Sequence, residues 1–334
     1  MDNQAPVRIA LIGAGTIGTS FAALHLGNVS PSKRVLLTIY DTRPDLIDNV
    51  RRNFPQDISP DHFGLFHPST GTLNFLRPDL INHLITTNQL KFSNNLEEAC
   101  YDADIIQESG PENVEFKSSL WPQIEAIAPP TALFWSSTSG IPASEQASRM
   151  KDPSRLVVVH PYNPPHIMPL LEIVPSPATS QDVINRTMEY WKGIGREPVL
   201  LKKECIGFVA NRLAFSMFRE AIHLVNEGVV SVEELDTIVQ NSIGPRWDIA
   251  GPFKSYHAGG GEGGLAAFMK NIGGTVQACW NDSGKPRATG RWVPKICEQT
   301  TKAYGVVDIN ERNTTTRKVL QAVREEKVDI APHL

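Results

Sequence analysis

Apolar residues gather early in short runs separated by small and turn-forming residues. Val7 to Ile12 form a short apolar run, Ser20 to Leu26 continue as a small-residue helix, and Val35 to Tyr40 read as a second strand ending at Asp41. This order predicts a βαβ unit. Farther along, Ala103 to Gln107, Thr131 to Trp135 and Leu156 to Val159 have the composition of buried strands, with a helix expected over Phe116 to Ile127. Leu170 to Val174 and Pro198 to Leu201 would complete the sheet. Between Pro44 and Lys91, Asp, Asn and Pro interrupt the apolar positions, which predicts helices and an irregular excursion.

The pattern then changes period. GFVANRLAFSMFREAIHLVNEG has the spacing of a long amphipathic helix closed by Gly228, and Ser231 to Ser242, Leu265 to Trp280 and Thr314 to Glu326 show no strand alternation. The expectation is an α/β domain over residues 1–202 and a mainly α-helical domain over 203–334, the second supplying part of the substrate cleft. Gly259, Gly260, Gly261, Gly263 and Gly264 read as a flexible loop ahead of a helix, and Arg287 and Arg291 add local positive charge. No internal repeat is evident.

Composition narrows the classes. With 334 residues, 41% hydrophobic and 20% charged, the chain can fill two cores. A formal charge of -4 without long single-sign runs gives no electrostatic case for nucleic acid or an acidic membrane as partner. Cys100, Cys205, Cys279 and Cys297 have neither metal spacing nor the density of a secreted disulfide scaffold. No apolar span reaches membrane length, and a folded strand starts almost at once, so the expected location is cytoplasmic.

Two stretches carry chemistry. Gly13, Gly15 and Gly18 in GAGTIG allow a tight turn, close approach of a pyrophosphate and close helix packing, with the N-terminus of the following helix facing the phosphates; Thr16 and Ile17 within the motif are cofactor-binding candidates with them. Asp41 can accept hydrogen bonds from ribose hydroxyls, which favours NAD over NADP. Arg43 is open to several roles: pairing with a ribose phosphate, stacking on adenine, or a solvated place. The second stretch is HPYNPPHIMPLLE, where His160 and Glu172 bracket an Asn-Pro turn. It pairs a candidate catalytic imidazole with an orienting carboxylate. No GxSxG elbow accompanies it, and His160 with His166 does not form HExxH, so no metal is called for.

With these motifs the chain resembles the 3-hydroxyacyl-CoA dehydrogenase superfamily over nearly its whole length, including the NAD-linked branches that act on free 3-hydroxy acids such as gulonate and carnitine. The resemblance implies a Rossmann-type first domain, a helical and commonly dimerising second domain, and NAD as cofactor. It also implies reversible oxidation of a 3-hydroxyl, with His160 as base and acid and Glu172 orienting it. Ser139 of STSG matches a serine that meets substrate and nicotinamide, although a turn residue would look the same. Asn211 matches a polar residue presented to the reaction site; helix packing is its other reading. Asn163, Glu112 and Lys117 align with positions near the cofactor, where a turn asparagine and a solvated Glu-Lys pair are the alternatives.

GPRWDIAGPF, HAGGGEGGLAAF and FMKNIG resemble the free-acid branches more than the short-chain acyl-CoA enzymes. Arg246 is the first candidate for a substrate carboxylate, with a surface salt bridge as the plain alternative, and Lys270 the second. Trp247, Phe253, Tyr256 and Trp280 would suit a quaternary ammonium. Two other readings stay open: a 3-hydroxyacyl-CoA substrate, and a noncatalytic crystallin-like protein that binds NAD.

Overall fold

The computed structural model describes residues 5–27, 34–55 and 77–329. Residues 56–76 of the expected excursion and the five C-terminal residues lie outside them. Two compact units result, 1–211 and 212–334, so the expected boundary at Lys202 falls within the stretch that precedes the long helix.

The first unit runs β1 (Val7–Ile12), α1 (Thr16–Gly27), β2 (Val35–Tyr40), α2 (Leu46–Asn53), α3 (Arg77–Thr86), β3 (Leu90–Ser93), α4 (Leu96–Cys100), β4 (Ile105–Glu108) and α5 (Val114–Ile127). It continues through β5 (Leu133–Ser136), α6 (Ala143–Gln146), β6 (Leu156–Pro161), β7 (Leu170–Pro175), α7 (Gln181–Gly193) and β8 (Glu197–Leu200). The strands form one sheet in the order β3-β2-β1-β4-β5-β6-β7-β8. β1 to β6 are parallel, β7 pairs antiparallel with β6, and β8 pairs parallel with β7. This is the expected Rossmann-type unit. β3, α4, α6 and α7 are additions to the expected elements.

Strand alternation builds two cores. Ile9, Leu11, Leu37, Ile39, Leu133, Trp135, Val157 and Val159 join one buried cluster with Phe21 and Trp191, while Ala10, Ile12, Ile106, Phe134, Leu156 and Val158 join another with Leu120 and Trp121. Successive residues of a strand point to opposite faces, so helices cover both sides and the sheet is buried throughout its middle. Fully burying each such side chain contributes roughly 1.5–3 kcal/mol before the entropy of ordering is counted.

The second unit is helical among its described residues. α8 (Ala210–Asn226) leads into it, followed by α9 (Val232–Gln240), α10 (Ile243–Ile249), α11 (Pro252–Gly259), α12 (Gly264–Asp282), α13 (Trp292–Tyr304) and α14 (Ile309–Asp329). α9 starts with a full capping box, Ser231 and Glu234 satisfying each other's backbone N–H. The glycine cluster is not the flexible loop the composition suggested. α11 ends at Gly259, Gly261–Gly263 make a 3₁₀ turn, and α12 begins at Gly264. Gly264 has φ +57°, and a Cβ there would stand 2.3 Å from the His257 ring. The glycines permit a tight corner between packed helices.

Candidate active site

In an open parallel sheet, ligands bind beyond the carboxyl ends of the strands where the strand order reverses. That point lies between β1 and β4. The turn after β1 holds Gly13 at φ +99°, and a Cβ there would come within 2.8 Å of the Ser109 carbonyl oxygen. A Cβ on Gly18 would strike the Gly13 carbonyl, so both glycines answer to packing. Gly15 differs. A Cβ there would meet nothing within 4 Å, which leaves open room beside the exposed start of α1, at Thr16. Helix N-terminal N–H groups have no intrahelical acceptor, so this place fits a dinucleotide pyrophosphate.

Asp41 stands at the end of β2. Its Oδ2 accepts from Ala14 N–H at 2.8 Å and its Oδ1 from Arg43 N–H at 3.0 Å, tying the carboxylate to the glycine turn. Arg43 Nε lies 3.4 Å from the same Oδ1, an ion-pair distance. The side chain is thus turned toward Asp41, and half-buried.

His160 and Glu172 face each other across the antiparallel β6–β7 pair. Their register makes them direct cross-strand neighbours, and His160 Nδ1 lies 2.7 Å from Glu172 Oε2. A carboxylate accepts only, so Nδ1 carries the proton and Nε2 presents its lone pair. Glu172 Oε1 accepts from Val209 N–H at 2.9 Å and Ala210 N–H at 3.0 Å. Burial pushes the Glu172 carboxyl up, but the hydrogen bonds from His160, Ala210 and Val209 outweigh it and hold the group below the usual carboxylate range. Phe208 packs on the imidazole, ring centroids 5.2 Å apart, and holds φ +51° while fully buried. A left-handed bulky residue costs of order 1–3 kcal/mol, so surrounding contacts must fix it.

The remaining matched residues form a second network. Glu112 Oε1 accepts from Thr138 Oγ1 at 2.6 Å, Ser139 N–H at 2.9 Å and Gly140 N–H at 3.1 Å. Ser139 is exposed, and its carbonyl accepts from Asn211 Nδ2 at 3.0 Å. Lys117 is not in a solvated pair with Glu112. It is 1% exposed, its Nζ lies 2.7 Å from both Glu108 oxygens, and Glu112 Oε2 is 4.0 Å away. Gly110 N–H and Ser136 Oγ complete the shell around Glu108. Sequence reasoning named Lys117 but missed Glu108, although a carboxylate closing the buried run IIQE was a visible signal.

Asn163 is exposed in the loop after β6, next to a cis bond to Pro164. In the second unit Arg246 and Lys270 are exposed, as are Trp247, Phe253 and Trp280; Tyr256 stacks on Phe268 at 5.1 Å.

Comparison with known proteins agrees with this geometry. The sequence model of the 3-hydroxyacyl-CoA dehydrogenase NAD binding domain matches residues 8–205, and that of the family's C-terminal domain matches residues 207–290. The chain belongs to the 3-hydroxyacyl-CoA dehydrogenase family. Among its relatives, an L-carnitine dehydrogenase of Pseudomonas aeruginosa is 36% identical over 243 residues, 72% of this chain and 76% of the relative. A 3-hydroxyacyl-CoA dehydrogenase of Gibberella moniliformis is 32% identical over 324 residues, 94% of each. Among solved structures, an NAD+-dependent 5-formyl-3-hydroxy-2-methylpyridine 4-carboxylic acid 5-dehydrogenase has a TM-score of 0.71 at 26% identity, covering 96% of this chain and 98% of the other.

As a member of the 3-hydroxyacyl-CoA dehydrogenase family, the chain is an NAD-dependent oxidoreductase acting on a CH–OH group. Bound NAD supplies the hydride acceptor for such chemistry. The Glu172 carboxylate holds the imidazole in the tautomer whose Nε2 is free to accept a proton, a geometry suited to acid–base chemistry on a hydroxyl. No helix among the described residues is long and apolar enough to cross a membrane.

Proposed function

We propose that the protein reversibly oxidises the 3-hydroxyl of a small free hydroxy acid to the keto acid, with NAD as oxidant. The observation that carries this reading is the buried His160–Glu172 contact at 2.7 Å. The hydroxyl proton passes to His160 Nε2 as the C3–H bond breaks and its electron pair leaves with the hydrogen. Several relatives named as L-carnitine dehydrogenases favour a free acid. Ser139 orients the reacting oxygen and Asn211 assists it, Ser139 being anchored through Glu112. Gly13, Gly15, Thr16, Ile17, Gly18, Asp41, Arg43 and Asn163 hold the cofactor. Lys117 acts there through Glu108 and Glu112, and Arg246 takes the substrate carboxylate.

A 3-hydroxyacyl-CoA substrate is the second reading, favoured by the relative of that name matching over nearly the whole chain. We assign the second unit to homodimer formation, because among the described residues its buried apolar cluster comprises only Ile222, Val225 and Ile296. Beside them lies a groove of roughly 540 Å³ lined by Met217, Phe218, Leu235 and Ile238. Four free cysteines suit a cytoplasmic setting.

The test is NADH formation against L-carnitine, L-gulonate, 3-hydroxybutyrate and 3-hydroxybutyryl-CoA, each with a parallel NADP series. Turnover of a free acid should fall by about 10²–10⁴ in His160→Ala, the usual range for a general base. CoA-only turnover would move the assignment to acyl-CoA metabolism. NADH binding with no turnover on any substrate would favour the noncatalytic reading.

A further inference from the structure

α1 carries a second buried histidine that the proposed chemistry does not use. His25 is 1% exposed and lies nine residues along α1 from Thr16, about 13 Å below the helix start at the usual rise. Its Nδ1 is 2.6 Å from Tyr190 OH and its Nε2 2.7 Å from Gln107 Oε1. Gln107 Nε2 donates to Ser137 Oγ at 3.1 Å, and Ser109 Oγ donates to the same oxygen at 3.1 Å. Gln107 is itself fully buried in β4, where its neighbours Ile105 and Ile106 are apolar. An amide in the middle of a parallel sheet is costly unless every polar atom is paired, and here the pairing runs in one direction, from the far end of α1 up to the strand ends.

One of those ends is a wall of the glycine turn. Ser109 follows β4; a Cβ on Gly13 would meet its carbonyl at 2.8 Å, and its own Cβ is 3.6 Å from where a Cβ on Gly18 would stand. Ser137 follows β5, two residues before Ser139. The chain of hydrogen bonds therefore joins the helix whose N-terminus faces the phosphates to the loop after β5 and, through Ser109, to the loop after β4 against which Gly13 is set.

We propose that His25 is a positioning residue for the dinucleotide, acting through Gln107, Ser137 and Ser109 to fix α1 against the loops after β4 and β5 and the glycine turn against the loop after β4. The proposal rests on the cofactor site described above. It separates geometry from stability, because replacing both partners of a buried hydrogen bond with apolar groups of similar shape is often close to neutral for folding.

The experiment measures NADH dissociation by fluorescence, alongside thermal melting, for wild type, His25→Phe/Gln107→Leu, Ser137→Ala and His25→Gln. The double variant should melt somewhat below wild type, because buried Tyr190 OH loses its His25 partner, while its NADH dissociation constant rises roughly fivefold or more, the lower end of measured couplings between separated sites. Ser137→Ala, at the rim of the core, should move the constant in the same direction, and His25→Gln, which keeps a donor for Gln107, should restore most of the affinity. Dissociation constants within about twofold of wild type in both the double variant and Ser137→Ala would overturn the proposal and leave the network as core packing. If the double variant does not fold, Ser137→Ala and His25→Gln decide alone by the same limits. A wild-type protein that does not bind NADH would overturn the cofactor reading and this one together.

Discussion

The two units handle burial in opposite ways. The first hides polar groups and satisfies them: Gln107 and Glu108 are fully buried in adjacent positions of β4, and each finds partners on α1, α5 or the loop after β5. The second exposes apolar groups and leaves them uncovered within its own chain, with Phe215 64%, Phe218 56% and Ile238 56% exposed. Polar burial costs stability unless geometry is specified, so it is spent where positions matter. Apolar exposure on this scale is expected at an association surface. The first unit is built around a site, and the second is built, in the reading proposed here, around a partner.

The largest effect that would break this comparison falls on the buried ion pair. Lys117→Met removes the counter-ion of Glu108 while keeping most of the side-chain volume, leaving a carboxylate in the core with only Gly110 N–H and Ser136 Oγ. Breaking a buried pair from one side costs about 3–5 kcal/mol, to be read from urea unfolding. Glu108→Gln/Lys117→Met should recover part of that loss. A cost below about 1 kcal/mol for the single variant would place the pair with weak surface bridges.

His25 tests the same principle through pH. Burial lowers its pKa to about 4 from the ordinary 6.5, with the Gln107 hydrogen bond opposing that shift. The folded state therefore holds the imidazole neutral while the unfolded chain protonates it. Its contribution is fully present above the unfolded value near 6.5 and is lost as pH falls through about 4. The gap amounts to about 3 kcal/mol. The stability difference between wild type and His25→Gln should shrink by about that amount between pH 7.5 and pH 4. A difference that does not change with pH would mean the imidazole is hydrated or free to charge in the folded state.

Legibility in the sequence followed the same division. β1 and β2 were read to the residue because largely apolar runs end at Gly13 and Asp41, whereas β6 continues two residues past its apolar run, through His160 and Pro161. The His160–Glu172 pairing was proposed from the Asn-Pro turn the two residues bracket, but the antiparallel register that makes them direct neighbours was not. α1 was placed four residues late, since the glycine turn passes directly into the helix and Thr19 N–H already bonds the Gly15 carbonyl. β3 escaped notice as a four-residue strand whose Lys91 faces outward. Lys117 was paired on paper with Glu112, and only the strand-to-helix geometry brings it to Glu108 instead. The glycine cluster between α11 and α12 was read as flexible because composition records missing side chains without saying whether solvent or a packed helix takes the space. Network residues such as His25 and Ser137 are invisible to pattern reading for the same reason: their partners are distant in sequence.

The smallest effect on the isolated fold offers the sharpest test of the second unit. Ile238 lies on α9 and lines the apolar groove while remaining 56% exposed, so Ile238→Glu removes little buried contact within the chain. α9 keeps its capping box, and glutamate is a better helix former than isoleucine. For a surface position the expected stability change is within about 0.5 kcal/mol. If a second copy covers the groove, the same substitution places a charge in an apolar interface and must be paid for there. Sedimentation equilibrium should then show wild type as a dimer and Ile238→Glu shifted toward monomer, with thermal melting lower and newly dependent on protein concentration. A monomeric wild type, or a dimer indifferent to the substitution, would mean that the groove is not the association surface and that the apolar exposure of the second unit has some other occupant.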